Sequence, residues 1–243
     1  MRFVLVHGAF VGGWIWGPLA QRLNELGYSV ETPDLPGSGD DPTPVEDVTL
    51  GAYAARICEL LDETSEPSIL VGNSMGGVVI TEAAARRPRH VKRLIYVAAF
   101  LPGDGQSLKD LTELPEGADD LVQANVVVSG DPPVGTLPDD VHRNANLACT
   151  PEVINWAVER TGSQAMTPMT EAVSLSDELE RIPRTYVICK RDTSIPPALQ
   201  RRMAGDREVT DVVEFDTDHH PQLSTPDELA TALDQRAREE VPA

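Results

Sequence analysis

Phe3 to Val6 is an unbroken apolar run, and it sets the strongest limit on how this chain can fold. A strand that alternates apolar and polar residues has one wet face. A strand that is apolar throughout is covered on both faces, the usual condition of a parallel sheet with helices on each side. Similar segments recur at Ser68 to Val71, Leu94 to Ala98 and Tyr186 to Cys189, with further strands expected at Ser29 to Thr32 and Val212 to Phe215. Between them, apolar residues return at helical spacing. Trp16, Leu19, Leu23 and Leu26 are stopped by Gly27; Tyr53, Ile57, Leu60 and Leu61 follow. A small-residue helix is expected from Gly76 to about Arg87, one near Pro197 to Met203, and a last from Pro226 to about Arg238. Thr225 is its expected cap, with Pro226 in the first helical position and Glu228 three residues after the cap. Six strands joined by helices define an α/β chain with a mostly parallel, doubly wound sheet.

The alternation breaks between about residues 100 and 183, where prolines and acidic loops separate short helical patterns. That stretch is too long for an ordinary loop. We divide the chain into core residues 1–99, an insertion at 100–183, and core residues 184–243. The insertion is expected to form a mainly helical cap over the C-terminal edge of the sheet. Trp156, Met166 and Met169 within it, with Phe10 from the core, are the expected pocket residues, methionine being suited to irregular apolar walls.

The sharpest chemical signal is Gly72-Asn73-Ser74-Met75-Gly76-Gly77, a G-x-S-x-G between an apolar strand and a small-residue helix. A serine on so sharp a turn has strained backbone angles and projects its hydroxyl from the sheet edge. Side chains two residues before and after it would collide, so glycine is required there. The Met75 N–H and the positive end of the following helix then point at the same space, where an oxyanion can be stabilised. A second donor belongs to the loop after the first strand, His7-Gly8-Ala9-Phe10. We assign it to the Ala9 N–H, with Phe10 as the alternative, and read His7 as holding the loop.

Ser74 needs a base, and the base needs an orienting acid. With G-x-S-x-G the chain order is serine, acid, histidine. Of the five histidines, only His219 and His220 follow the last strand; we prefer His219, and His220, which precedes a proline and is restricted by it, stays as the alternative. His90 and His142 read as surface residues. Asp192, after the fifth strand, is the expected acid; Asp104, after the fourth, is the runner-up; Asp218 reads as a turn residue. No clustered His and carboxylate set remains for a metal, and no cofactor is expected.

A net charge of −19 argues against nucleic acid and against an anionic membrane surface. No apolar run approaches the roughly 20 residues needed to cross a bilayer, and the N-terminal apolar stretch lacks a cleavage site, so the expected location is cytoplasmic. Cys58, Cys149 and Cys189 are widely spaced and read as free thiols. The oligomeric state is not fixed by the sequence; a homodimer is one option.

Together these residues resemble the plant-type methylesterase and hydroxynitrile-lyase branch of the α/β-hydrolases, including small bacterial esterases. The resemblance is carried by Val4-Leu5-Val6-His7-Gly8-Ala9, Gly13-Trp14-x-Trp16, Pro33-Asp34-Leu35-Pro36-Gly37-Ser38-Gly39 and the Ser74 turn. It continues in Asp192-x-x-Ile195-Pro196 with Gln200, and in Asp218-His219-x-Pro221-x-Leu223-Ser224. It implies an α/β-hydrolase sheet of order 2-1-3-4-5-6, Ser74, His219 and Asp192 as a catalytic triad, and Ala9 and Met75 as oxyanion-hole amides. The lyases of the branch carry a threonine where this chain has Gly8 and a lysine where it has His220, which argues against cyanohydrin cleavage. Asn73 replaces a common histidine, with little consequence expected. The function implied is hydrolysis of a small to medium apolar ester, a methyl ester included. The alternatives are a carbon–carbon lyase or biosynthetic tailoring enzyme, or a ligand-binding receptor of the same fold.

Overall fold

The computed structural model describes residues 1–239. Strand β1 (Arg2–Val6) leads through a 3-10 turn into helix α1 (Gly17–Glu25). Strand β2 (Ser29–Glu31) leads to α2 (Leu50–Asp62), β3 (Ser68–Ser74) to α3 (Gly76–Arg86), and β4 (Val91–Ala99) to the long middle segment. That segment carries α4 (Leu108–Thr112), α5 (Leu121–Asn125), β5 (Val127–Ser129), β6 (Val134–Thr136), α6 (Asp139–Asn144), α7 (Pro151–Val158), β7 (Gln164–Ala165) and α8 (Thr167–Thr170). The core pattern then resumes with β8 (Arg184–Cys189), α9 (Pro197–Asp206), β9 (Asp211–Phe215), α10 (Pro221–Ser224) and α11 (Pro226–Arg238).

The six core strands form one parallel sheet in the order β2-β1-β3-β4-β8-β9, the 2-1-3-4-5-6 order expected. Successive side chains of a strand point to opposite faces. Phe3, Leu5, Ile69, Val71, Ile95 and Val97 therefore pack on one side with α1 and α11. Val4, Val6, Leu70, Leu94 and Tyr96 pack on the other with α2 and α3. Both faces are dry, which is why these strands are apolar without interruption.

Two local expectations need correcting. Thr225 does occupy the cap position of α11, but its hydroxyl donates back to the Pro221 carbonyl (3.3 Å) and makes no cap bond. The preceding short helix α10 offers that carbonyl one turn earlier. The middle segment is also not simply helical. Strands β5, β6 and β7 form a three-stranded antiparallel sheet, the pieces of which are two or three residues long. Strands that short give no readable alternation. Among the described residues, no helix is long and apolar enough to cross a membrane.

Candidate active site

Ser74 ends β3 with φ +56°, a left-handed backbone that a non-glycine residue rarely adopts. The strain is held by packing on both sides. A Cβ on Gly72 would lie 2.6 Å from the Gly76 carbonyl carbon, and one on Gly76 would lie 2.4 Å from the Val6 carbonyl oxygen. Both glycines are therefore obligatory, and the eleven-residue α3 can start immediately after Met75 with its N-terminus beside the serine. A register shift between β3 and β4 leaves Ala98 at φ +43° and lets the Phe100 N–H donate to the Ser74 carbonyl (3.0 Å). The turn is thus fixed from β1, α3 and the end of β4.

Asp192 follows β8 and is buried. One carboxylate oxygen accepts from the backbone N–H groups of Ser194 (2.7 Å) and Ile195 (3.0 Å). The other accepts from Gln200 Nε2 (3.0 Å) and from His219 Nδ1 (2.8 Å). An ionised carboxylate only accepts, so the His219 proton sits on Nδ1 and Nε2 keeps its lone pair. Burial alone would depress the imidazole; the charge and hydrogen bond of Asp192, with smaller contributions from Asp120 and Asp218, outweigh it and hold His219 above its ordinary value of 6.5.

Asn73 does more than expected. Its side chain points away from the cavity, but Nδ2 donates to the Val97 carbonyl (2.9 Å) and to the carbonyl of His219 itself (3.1 Å). Its Oδ1 accepts from Gln222 Nε2 (3.2 Å). Asn73 therefore ties the histidine loop to the serine turn. Gln200 ties the acid loop in the same way: it also donates to the Ile195 carbonyl (2.7 Å) and accepts from the Cys189 N–H (3.0 Å). Gln200 stands within the resemblance, but its role could not be read until the folded chain brought it against Asp192.

The other titratable groups separate cleanly. His220 Nδ1 faces Asn146 Oδ1 (2.9 Å), and burial, then the neighbouring His219 and His142, push it well below 6.5. His142 is buried against Phe10 (ring centroids 5.9 Å), not on the surface as expected, because α6 folds over the first loop. His90 is half-buried, with Nδ1 against the Leu61 carbonyl (2.9 Å). Asp104, the runner-up acid, is exposed and accepts from the Leu175 N–H (2.9 Å). Asp218 is a buried strut and not merely a turn residue: its carboxylate accepts from the Ala148 N–H (2.6 Å), and burial raises its pKa.

The loop after β1 runs close beside the serine; a Cβ on Gly8 would lie 2.8 Å from Ser74 Cβ. His7 is buried and neutral, its Nδ1–H donating to the Gly8 carbonyl (2.7 Å) and its Nε2 accepting from the Leu35 N–H (3.1 Å). Phe10 has φ +64° and is gripped from the middle segment on both polar groups. Its N–H donates to Gln164 Oε1 (3.2 Å) and its carbonyl accepts from the Gly162 N–H (2.9 Å). Gln164 is anchored in turn on the Tyr53 hydroxyl (2.9 Å).

A cavity of about 440 Å³ opens at Ser74. Ala9, Phe10, Met75, Met166 and Met169 line it, together with Asp120, which sequence reasoning missed. Trp156 does not. It packs edge-on against Trp14 (5.1 Å) with Arg160 over its ring (4.7 Å), on the α1/α11 side of the sheet. Helix α7 is amphipathic and turns its tryptophan to the core, away from the cavity.

Known proteins share this fold. The profile of the alpha/beta hydrolase family matches residues 3–232, and the chain belongs to that family. Salicylic acid-binding protein 2 of Nicotiana tabacum is 30% identical over 247 residues, covering 96% of this chain and 95% of the relative. The alpha-hydroxynitrile lyase of Arabidopsis thaliana is 32% identical over 249 residues, again 96% and 95%. These relatives place the chain on the methylesterase and hydroxynitrile-lyase branch. Among solved structures, a pyrethroid hydrolase from Sphingobium faniae JZ-2 superposes with a TM-score of 0.88 at 25% identity, covering 98% of this chain and 97% of its own.

Proposed function

We propose that this protein is a serine hydrolase that cleaves small to medium apolar carboxylic esters, methyl esters among them, through an acyl-enzyme. The observation that carries this reading is the hydrogen bond from His219 Nδ1 to a fully engaged Asp192 carboxylate, in the same site as a serine held at φ +56°. Ser74 attacks the ester carbonyl while His219 Nε2 takes the hydroxyl proton. The same imidazole returns that proton to the departing alkoxide, and water, activated by His219, then releases the acid. Asp192 fixes the tautomer and stabilises the imidazolium formed at each step. Because the Phe10 N–H is committed to Gln164, the Ala9 N–H is the donor that pairs with Met75 in the oxyanion hole. The middle segment acts as the cap, supplying Met166 and Met169 to the wall that shapes the substrate.

Two features weigh against a cyanohydrin lyase. His220 stands where the lyases carry lysine and is held neutral by burial, so no fixed positive charge is offered to cyanide. The threonine of the lyases would place a Cβ against Ser74 at the Gly8 position. A non-catalytic receptor is separated from the enzyme by fluorophosphonate labelling and an ester library. The expected result is labelling at Ser74 and turnover that falls by about 10⁴-fold or more in Ser74→Ala. A Ser74→Ala variant with near-normal turnover would remove Ser74 from the mechanism.

A further inference from the structure

Asp120 is the one carboxylate on the cavity wall among the described residues, and beyond its charge acting on His219 it has no step in the hydrolytic mechanism. It is 2% exposed. One oxygen, Oδ1, caps α5 by accepting from the N–H groups of Val122 (2.7 Å) and Gln123 (3.0 Å). The Leu121 N–H donates to the Thr193 carbonyl (2.9 Å), which pins this corner beside the Asp192 loop. Capping needs only that one oxygen, and Asn or Ser would serve without introducing a charge. Among the described residues, Oδ2 has no hydrogen-bond partner and the carboxylate has no ion pair. Lys109, the cationic side chain on the wall, is exposed and pairs with Glu113 (3.7 Å). The same cavity wall carries the apolar Met75, Val122, Met166, Met169 and Ile195 beside the polar Thr112, Gln123 and Ser194, and His219 and Asp192 lie within electrostatic reach of the carboxylate. An ionised carboxylate in such a wall is costly to bury without a partner.

We propose that Asp120 is a substrate-recognition residue and that the pocket takes esters bearing a protonated amine, whose N–H donates to Oδ2. This narrows the esterase reading from a wholly apolar ester to one that carries a single cationic amine on an otherwise apolar body, and rests on it for the identity of the ligand as an ester. The chain's net charge of −19 favours the approach of a cation over that of an anion. A neutral hydroxyl could donate the same hydrogen bond but would leave the carboxylate charge uncompensated, so the amine is the better fit.

The test is calorimetric binding to Ser74→Ala, which holds an ester without turning it over. Three probes are used at neutral pH: a 2-(dimethylamino)ethyl ester, its isosteric 3-methylbutyl hydrocarbon counterpart and a hydroxyl-bearing analogue. The amine is expected to bind about tenfold or more tighter than the hydrocarbon, the scale of a charge-assisted hydrogen bond. Adding Asp120→Asn, which retains the cap, should bring that ratio close to one. Equal binding of amine and hydrocarbon overturns the proposal, as does a hydroxyl probe that binds as well as the amine, or a preference that survives Asp120→Asn. Hydrolysis of the same esters by the unmodified protein is read separately. Selective amine binding with no turnover sinks the esterase reading alone; turnover without selectivity sinks the Asp120 proposal alone.

Discussion

Asp120→Asn should make the protein more stable, and the gain should depend on pH in a way that identifies its cause. Burial, opposed by the two α5 amides and by His219, raises the Asp120 pKa from 3.8 to about 6. A carboxyl with a raised folded-state pKa binds more protons folded than unfolded between those two values, so its contribution to stability falls as pH rises through that window. Below about pH 4 the group is protonated in both states and costs nothing. Above about pH 6 the full cost is present, and at about 1.4 kcal/mol per pH unit it is about 3 kcal/mol. Asn resembles the protonated acid and carries no such cost. For a chain of this size, about 2–4 °C of melting temperature accompanies each kcal/mol, so the variant should melt on the order of 6–12 °C higher at pH 8. The assay is thermal unfolding of both proteins by circular dichroism from pH 4 to pH 8. Acid destabilisation from the buried neutral histidines His7, His142 and His220 acts on both and cancels in the difference. Curves that run parallel across that range, or a variant that melts lower at pH 8, would refute the reasoning.

Three further outcomes are expected. His219→Ala should reduce kcat as severely as Ser74→Ala, whereas His220→Ala should mainly lower stability, since it removes a contact to Asn146 and not one to Asp192; the reverse kinetic pattern would move the base to His220. Asn73→Ala removes three buried hydrogen bonds and should cost about 2–4 kcal/mol in chemical denaturation. It should also lower kcat by on the order of 10–100-fold through loosening of the His219 backbone; unchanged kcat in a destabilised variant would make the brace purely structural. Shortening Met166 or Met169 should shift preference along an ester series by about 1–3 kcal/mol per methylene-sized change, whereas Trp156→Phe should lower stability and leave the series order intact. A chain-length shift from Trp156→Phe would contradict its place beside Trp14.

The parts of the fold legible in the sequence are those set by repetition or by local sterics. Unbroken apolar strands announce a sheet covered on both faces, and glycines at 72 and 76 announce a turn that no Cβ can enter. What stayed hidden depends on partners far away in the chain. Asn73 meets His219 across 146 residues, and Gln164 meets Phe10 across 154. Neither belongs to a periodic pattern, and an Asn or Gln has the same local signature whether it braces a loop or faces water. Trp156 was misplaced for a related reason: an apolar residue in an amphipathic helix is equally suited to core and pocket, and only the packing direction of α7 decides. Asp120 reads from the sequence as one acid among many in an acidic stretch, and becomes singular only once it is seen to be buried.

The middle segment is bonded to three of the loops on which the proposed chemistry depends, those after β1, β8 and β9. Gly162 and Gln164 grip Phe10 beside the oxyanion loop. Leu121 bonds to Thr193 in the acid loop, next to Asp192. Asn146 and Ala148 bond to His220 and Asp218, on either side of His219. Each contact is a hydrogen bond to a loop whose backbone position sets a reacting group, and errors of about 1 Å at such positions can cost on the order of 100-fold in rate. A wall that only shaped the pocket would tolerate loosening with a change in substrate preference alone. Because the segment is bonded to those loops, a displacement of it that admits a different substrate is expected also to shift Ala9, Asp192 and His219 relative to Ser74. On the proposed mechanism, specificity and catalytic alignment are coupled through one element, and Asp120 sits at the corner where α5 meets the acid loop.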